Sequence, residues 1–249
     1  MMKTIAVIGS PEHLGSAIAE RFAKAQYHVL LTDHRTKQPA LSFRGLRFLF
    51  RKKRVKVPQV GIEIVASVKE ASWEADIILL AAPYEAQAEV ASKMKDVVTG
   101  KIIVSMVNPL NEFHDGLLTA PTTSAAEELA TLLPHSKVVK AFNTIFTMDF
   151  EKLQFAAQAL DIFVAGDDDE AVSTVAQLIR DVGLIPLYAG KLSMSRTLEG
   201  MMLLLDSVST QNNYHVPIGW KVLRGTADEE HRKDTNNNSM RKAKLIEPK

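Results

Sequence analysis

The stretch Lys3–Phe22, KTIAVIGSPEHLGSAIAERF, decides how the rest of the chain is read. Ile5, Ala6, Val7 and Ile8 form a continuous apolar run, too short for a helix and suited to a parallel strand buried on both faces. After a turn holding Gly9 and Gly15, apolar groups recur at Leu14, Ala17, Ile18, the stem of Arg21 and Phe22, the spacing of a single helical stripe laid on a sheet. Such a unit aims a helix N-terminus at the carboxyl end of a parallel strand. The unpaired N–H groups and partial positive charge there suit a diphosphate.

Written over the dinucleotide template G-x-G-x-x-G with its last glycine at Gly15, the turn carries Ser10 and Glu12 in the first two glycine positions. Glu12 brings a negative charge to the place where backbone normally approaches the phosphates, unless its carboxylate swings out to solvent or pairs with His13. Gly9, Ser10, Pro11, Glu12, His13 and Leu14 are therefore the candidate diphosphate residues. A turn that keeps this geometry without a ligand is the competing reading.

His28–Leu31 (HVLL) makes a second strand, followed by Thr32, Asp33, His34 and Arg35. Asp33 lies about twenty residues past the turn, where an acid can accept hydrogen bonds from both ribose hydroxyls of NAD. His34 and Arg35 suit instead the 2′-phosphate of NADP, provided Asp33 turns aside. Both cofactors stay open at this point, as does a strand-end aspartate beside a solvated basic pair.

Further apolar runs end in small or polar residues. Asp76–Ala82 closes at Ala82, Pro83 and Tyr84; Lys101–Met106 ends at Asn108 and Pro109; Lys137–Phe142 ends at Asn143 and Thr144. Asn108 reads equally as a crevice residue or as a turn asparagine before proline. Several strands ending this way at one sheet edge argue for a shared crevice better than any single motif does. Ser124 with Glu127 three residues on predicts a capped helix. The predicted fold is α/β, a Rossmann-type doubly wound, mostly parallel sheet with a small C-terminal α/β extension. Residues 1–150 form the expected dinucleotide-binding domain, with a basic insertion at 39–58. Residues 151–223 form the small C-terminal part, and 224–249 a polar, mobile tail.

The absence of cysteine excludes disulfides and thiolate chemistry, so any redox chemistry must come from a bound cofactor. A net charge of +1 gives no global pull toward nucleic acid or membrane. The charge is nevertheless uneven: seven cations crowd between Arg44 and Lys56, a segment that suits an anionic surface, a cofactor phosphate near Arg35, or simply solvent. No apolar run approaches the roughly 18 residues of a spanning helix and no leader precedes the first strand, so a cytoplasmic location is expected. The acids Asp167, Asp168, Asp169 and Glu170 invite a metal reading. A helix dipole favouring acids in its first turn is the stronger explanation, and no metal is expected. The apolar helix Leu198–Val208 suits core or a subunit interface, which makes a homodimer an expectation.

Taken in order, Gly9–Gly15, Pro83-Tyr84-Glu85, Asn108-Pro109, Lys140-Ala141-Phe142-Asn143-Thr144, Ala165-Gly166-Asp167-Asp168-Asp169-Glu170 and Ala189-Gly190-Lys191-Leu192-Ser193-Met194-Ser195-Arg196-Thr197-Leu198-Glu199 resemble the F420-dependent NADP oxidoreductase family, a group that includes the reductase domain of the STEAP metalloreductases. The likeness runs to about Leu223 and leaves out the basic insertion and the tail. It implies a Rossmann domain carrying NADP(H), and direct hydride transfer between nicotinamide and a deazaflavin or flavin stacked against it. Chemistry of that kind needs no side-chain acid or base, which fits the absence of any triad or metal motif. Carried over by position, Ser10–Leu14 contact the diphosphate, Asp33–Arg35 the adenosine ribose or its phosphate, Ala82–Tyr84 the middle of the cofactor, and Asn143-Thr144 the nicotinamide end. Glu12 and Asp33 depart from the family pattern. The expectation is an NAD(P)-dependent oxidoreductase acting on a deazaflavin, a flavin or a small carbonyl compound. Its rival is a non-catalytic protein that senses nucleotide or binds a partner.

Overall fold

A computed structural model describes residues 3–9, 14–35, 61–146, 159–214 and 218–223. Ser10, Pro11, Glu12 and His13, the basic insertion at 39–58 and the tail from Arg224 lie outside the described residues.

The first apolar run becomes β1 (Thr4–Gly9), and α1 (Leu14–Lys24) returns to β2 (His28–Thr32). β3 (Ile62–Ile64), α2 (Val68–Glu74) and β4 (Ile77–Ala81) follow, α2 starting where the Ser67 hydroxyl accepts the Glu70 amide at 3.1 Å. A short 3-10 turn (Tyr84–Ala86) leads into α3 (Gln87–Met94) and then β5 (Ile102–Ser105). α4 (Ala125–Leu132), β6 (Lys137–Lys140) and the two-residue β7 (Ile145–Phe146) come next. The chain closes with β8 (Asp161–Gly166), α5 (Asp169–Asp181), β9 (Ile185–Gly190), α6 (Ser195–Gln211) and β10 (Ile218–Gly219), which pairs antiparallel with β7.

The main sheet runs β3-β2-β1-β4-β5-β6-β8-β9. Its first six strands are mutually parallel in the dinucleotide-fold order 3-2-1-4-5-6. β8 then pairs antiparallel with β6 and parallel with β9, so the C-terminal part widens the same sheet with two reversed strands. Both faces are covered. Ile5, Val7, Val29, Leu31, Ile77 and Leu79 pack under α1 and α5, while Ala6, Ile8, Leu30, Ile78 and Leu80 pack under α2, α3 and α4. This division is why β1 reads as unbroken apolar sequence rather than as an alternation.

The acidic turn has defined work. Asp168 caps α5 by accepting the Ala171 amide at 2.8 Å, Lys137 reaches both Asp168 and Glu170, and Asp167 accepts the Leu192 amide at 3.1 Å. At α4, the Ser124 hydroxyl accepts the Glu127 amide at 3.2 Å, but Glu127 returns to that hydroxyl rather than to the Ser124 amide. Arg196 draws the Glu127 carboxylate aside with contacts of 2.8 and 2.5 Å. Among the described residues, no helix is long and apolar enough to cross a membrane.

Candidate functional site

Because six strands run the same way, their carboxyl ends share one edge. Across it the register aligns Ile8 with Thr32, Gly9 with Ala81, Leu80 with Ser105, and Ser105 with Lys140. α1 begins just past Gly9, which brings its N-terminus to this edge. A Cβ on Gly9 would lie 3.0 Å from the Ala81 carbonyl oxygen, so a side chain here would press on the β4 backbone, and glycine lets β1 and β4 lie close. Ala82 is buried, Pro83 is exposed, and the Tyr84 hydroxyl donates to Glu128 at 2.8 Å. Burial and the Glu128 carboxylate push the Tyr84 phenol up to about 12, so it stays a hydrogen-bond donor at neutral pH.

At the β2 end, Asp33 and Arg35 form a bidentate pair: Arg35 Nη2 lies 2.7 Å from Oδ2, Nε lies 3.0 Å from Oδ1, and the Arg35 amide adds a bond at 2.9 Å. Burial works against the charge on Asp33, but these hydrogen bonds overcome it and hold the carboxyl below its usual range. His34 is buried, and burial lowers its pKa against the pull of Asp33. Its Nδ1 sits 3.6 Å from Asp33 Oδ1, too far for a hydrogen bond, and makes none among the described residues. Lys93 of α3 donates to the His34 carbonyl at 3.1 Å.

The β5–β6 end is tied differently. Asn108 Nδ2 donates to the Asn143 carbonyl at 3.0 Å, and Asn143 Nδ2 donates to Asn108 Oδ1 at 3.0 Å and to the Leu198 carbonyl at 2.9 Å. Asn143 and Thr144 are both buried. Phe142, just before them, has φ +60°, a left-handed conformation that is costly for an aromatic residue. Its ring is held edge-to-face against Phe22, with centroids 6.1 Å apart.

Five buried side-chain atoms in the segments at or just past these strand ends have no hydrogen-bond partner among the described residues. They are Thr32 Oγ1, His34 Nδ1, Ser105 Oγ, Asn143 Oδ1 and Thr144 Oγ1. A buried polar atom left unpaired costs about 1–3 kcal/mol. Five in one region mark a surface prepared for polar company.

The structure thus brings Gly9, Leu14, Asp33, His34, Arg35, Ala82, Pro83, Tyr84, Asn108, Asn143 and Thr144 onto segments at one edge of the sheet. The reading from spacing overlooked Lys140 and Glu199, which form an ion pair with no exposed surface. Its one signal was a second lysine, Lys140, set between the apolar pair Val138-Val139 and the apolar Ala141-Phe142, where a charge is seldom buried without a partner. It also overlooked His114, whose Nδ1 lies 2.8 Å from the buried Asp206 and ties the loop after β5 to α6.

Residues 4–109 match the family described as NADP oxidoreductase, coenzyme F420-dependent. The chain is 28% identical over 206 residues to an F420-dependent NADP reductase of Methanocaldococcus jannaschii, covering 81% of this chain and 90% of that protein. It is 32% identical over 143 residues to the metalloreductase STEAP3 of Rattus norvegicus, although that match spans only 27% of the larger protein. Among solved structures, a putative F420-dependent NADP-reductase from Arthrobacter sp. FB24 superposes with a TM-score of 0.71. The superposition covers 90% of this chain and 100% of that one and, at 20% identity, speaks for the fold alone. The matched dinucleotide half, the near-full-length reductase relatives and the strand order agree in making this chain similar to the F420-dependent NADP oxidoreductases, with the family match carried by residues 4–109.

Proposed function

We propose that the chain binds NADP(H) across the carboxyl edge of its parallel strands and serves hydride transfer between the nicotinamide and a deazaflavin of the coenzyme F420 type. The observation that carries this reading is the row of unpartnered buried polar atoms, from Thr32 and His34 at one end to Asn143 and Thr144 at the other. These residues fit the cofactor. Gly9 and the start of α1 would take the diphosphate, Arg35 and His34 the adenosine 2′-phosphate, Ala82–Tyr84 the middle, and Asn108, Asn143 and Thr144 the nicotinamide carboxamide. When bound, the nicotinamide supplies or accepts the hydride. The protein's part is to orient, to exclude water and to set the local field, so no side-chain acid or base is required.

The Asp33–Arg35 pair favours NADP over NAD, because the guanidinium engages the acid that would otherwise accept bonds from the ribose hydroxyls. Residues 1–150 act in this reading as the dinucleotide-binding domain, with the C-terminal part bearing on the second redox partner. A flavin or a small carbonyl compound is the alternative acceptor. The apolar side chains Leu204 and Val208, exposed on α6, support a homodimer, which light scattering of the purified protein would check.

NADPH and NADH titrated separately, with nicotinamide fluorescence as the readout, test the reading. Saturable binding with NADPH the tighter ligand is expected, followed by oxidation of bound NADPH on addition of oxidised F420. No saturable binding of either nucleotide would overturn it, and tight binding without turnover on any acceptor class would favour the nucleotide-sensing rival.

A further inference from the structure

Lys140, at the end of β6, and Glu199, on α6, are both fully buried and meet at 2.6 Å. The Lys140 ammonium also donates to the Val107 carbonyl, next to Asn108. The Glu199 carboxylate accepts the Ala125 amide at 3.0 Å and the Ala126 amide at 3.4 Å, so it fills the positive N-terminus of α4. One residue earlier, the Leu198 carbonyl receives Asn143 Nδ2. Four segments, at Val107-Asn108, Ala125-Ala126, Lys140–Asn143 and Leu198-Glu199, therefore converge on one buried knot.

A buried ion pair is a poor way to gain stability, since the cost of desolvating two charges offsets most of their attraction. Burial alone pulls the Lys140 pKa down, and only Glu199 opposes it. What the pair secures is register. Lys140 lies three residues before Asn143, Glu199 lies one residue after the carbonyl that Asn143 binds, and the left-handed Phe142 sits between the two anchors. A strained backbone persists where its surroundings over-determine it, and here both sides of the strain are tied.

We propose that Lys140 and Glu199 are positioning residues: they lock α6 to the ends of β5 and β6 so that Asn143 and Thr144 keep the one arrangement that receives the nicotinamide carboxamide. This rests on the cofactor reading above. Because a displacement of about 1 Å in a reacting pair costs rate steeply, a lock of this kind acts on transfer more than on affinity.

The test uses the full chain carrying Lys140→Met together with Glu199→Leu, a replacement that removes both charges and folds more readily than either single change. Lys137→Met, which breaks a surface pair, serves as control. In the double variant, amide hydrogen exchange across residues 141–145 should quicken by about tenfold or more, reporting local opening. The NADPH dissociation constant should stay within about threefold, since the adenosine and diphosphate contacts remain, while the fluorescence gain of bound nicotinamide falls toward that of free NADPH. Unchanged exchange and unchanged nicotinamide emission in a folded double variant would overturn the proposal. So would the same losses in the Lys137→Met control. A wild-type chain that fails to bind NADPH defeats the cofactor reading by itself, and the exchange measurement still decides whether the lock exists.

Discussion

At the β2 end of the crevice, Asp33 and Arg35 pair across two residues of sequence, and the guanidinium side chain is 59% exposed. At the β6 end, Lys140 and Glu199 pair across 59 residues, and neither has any exposed surface. The first pair is a local contact in water that a ligand's charge can rearrange, and pairs of that kind contribute about 0–1 kcal/mol to stability. The second cannot rearrange without opening the core. A crevice built this way has an adaptable end suited to choosing a nucleotide and a rigid end suited to aiming one.

The largest effect that would sharpen the contrast is loss of one buried partner. Lys140→Met leaves the buried Glu199 carboxyl without its cation, facing the Ala125 and Ala126 amides, and should cost about 3–5 kcal/mol in urea or guanidinium unfolding. Adding Glu199→Leu should recover much of that loss. An Arg35→Ala chain, by comparison, should unfold within about 0.5 kcal/mol of wild type. If the two single variants lose stability equally, the distinction between a rigid and an adaptable end is wrong.

Next in size is Gly9→Val. The new Cβ meets the Ala81 backbone oxygen at 3.0 Å and the Ala81 Cβ at 3.2 Å, and backbone cannot swing away as a flexible side chain can. Overpacking of this kind costs about 1–3 kcal/mol, and NADPH binding should fall with it. A variant of full stability and full affinity would show that β1 and β4 have room to part at the crevice.

How far the sequence foretold each end follows from the range of the contacts. The turn at Gly9, the helix from Leu14 and the acid at Asp33 stand in fixed short spacings, so the adaptable end was legible in advance. The apolar runs of β1, β4 and β5 announced buried parallel strands for the same reason. The apolar run DIFVA, residues 161–165, reads alike in either sense, so its direction lies outside what sequence can tell; the antiparallel pairing of Val139 with Gly166 and of Lys140 with Ala165 reveals the reversal. The rigid end depends on Lys140 meeting Glu199 and Asn108 meeting Asn143, separations of 59 and 35 residues that follow no periodicity. Asn143 and Thr144 were found there because they end a strand, whereas Lys140 and Glu199 stood in motifs without a role.

Third comes nucleotide choice. Arg35→Ala removes the cation suited to a 2′-phosphate and leaves the Asp33 oxygens to ribose hydroxyls. The ratio of NADPH to NADH affinity should therefore shift toward NADH by about tenfold, worth about 1.4 kcal/mol. Separate titrations measure it. An unaltered ratio would place the selecting charge elsewhere and remove the adaptable end's role in recognition.

The smallest expected effect is the response of that end to pH. His34 is held below its ordinary value of 6.5, by burial first, with Arg35 and Lys93 also disfavouring its cation and Asp33 and Glu89 favouring it. A histidine whose folded pKa is lowered binds fewer protons folded than unfolded, so its contribution to stability is present above pH 6.5 and is lost as the pH falls through the folded value. Unfolding midpoints should therefore drop more steeply on acidification in wild type than in His34→Gln. A 2′-phosphate beside the ring works the other way, because its negative charge favours the imidazolium and raises the pKa. NADPH affinity should accordingly rise by about a few-fold between neutral pH and pH 6 relative to NADH, in wild type and not in His34→Gln, and the difference should shrink with added salt. Parallel pH profiles for the two nucleotides would mean that His34 never meets the phosphate, and would leave Arg35 to hold it alone.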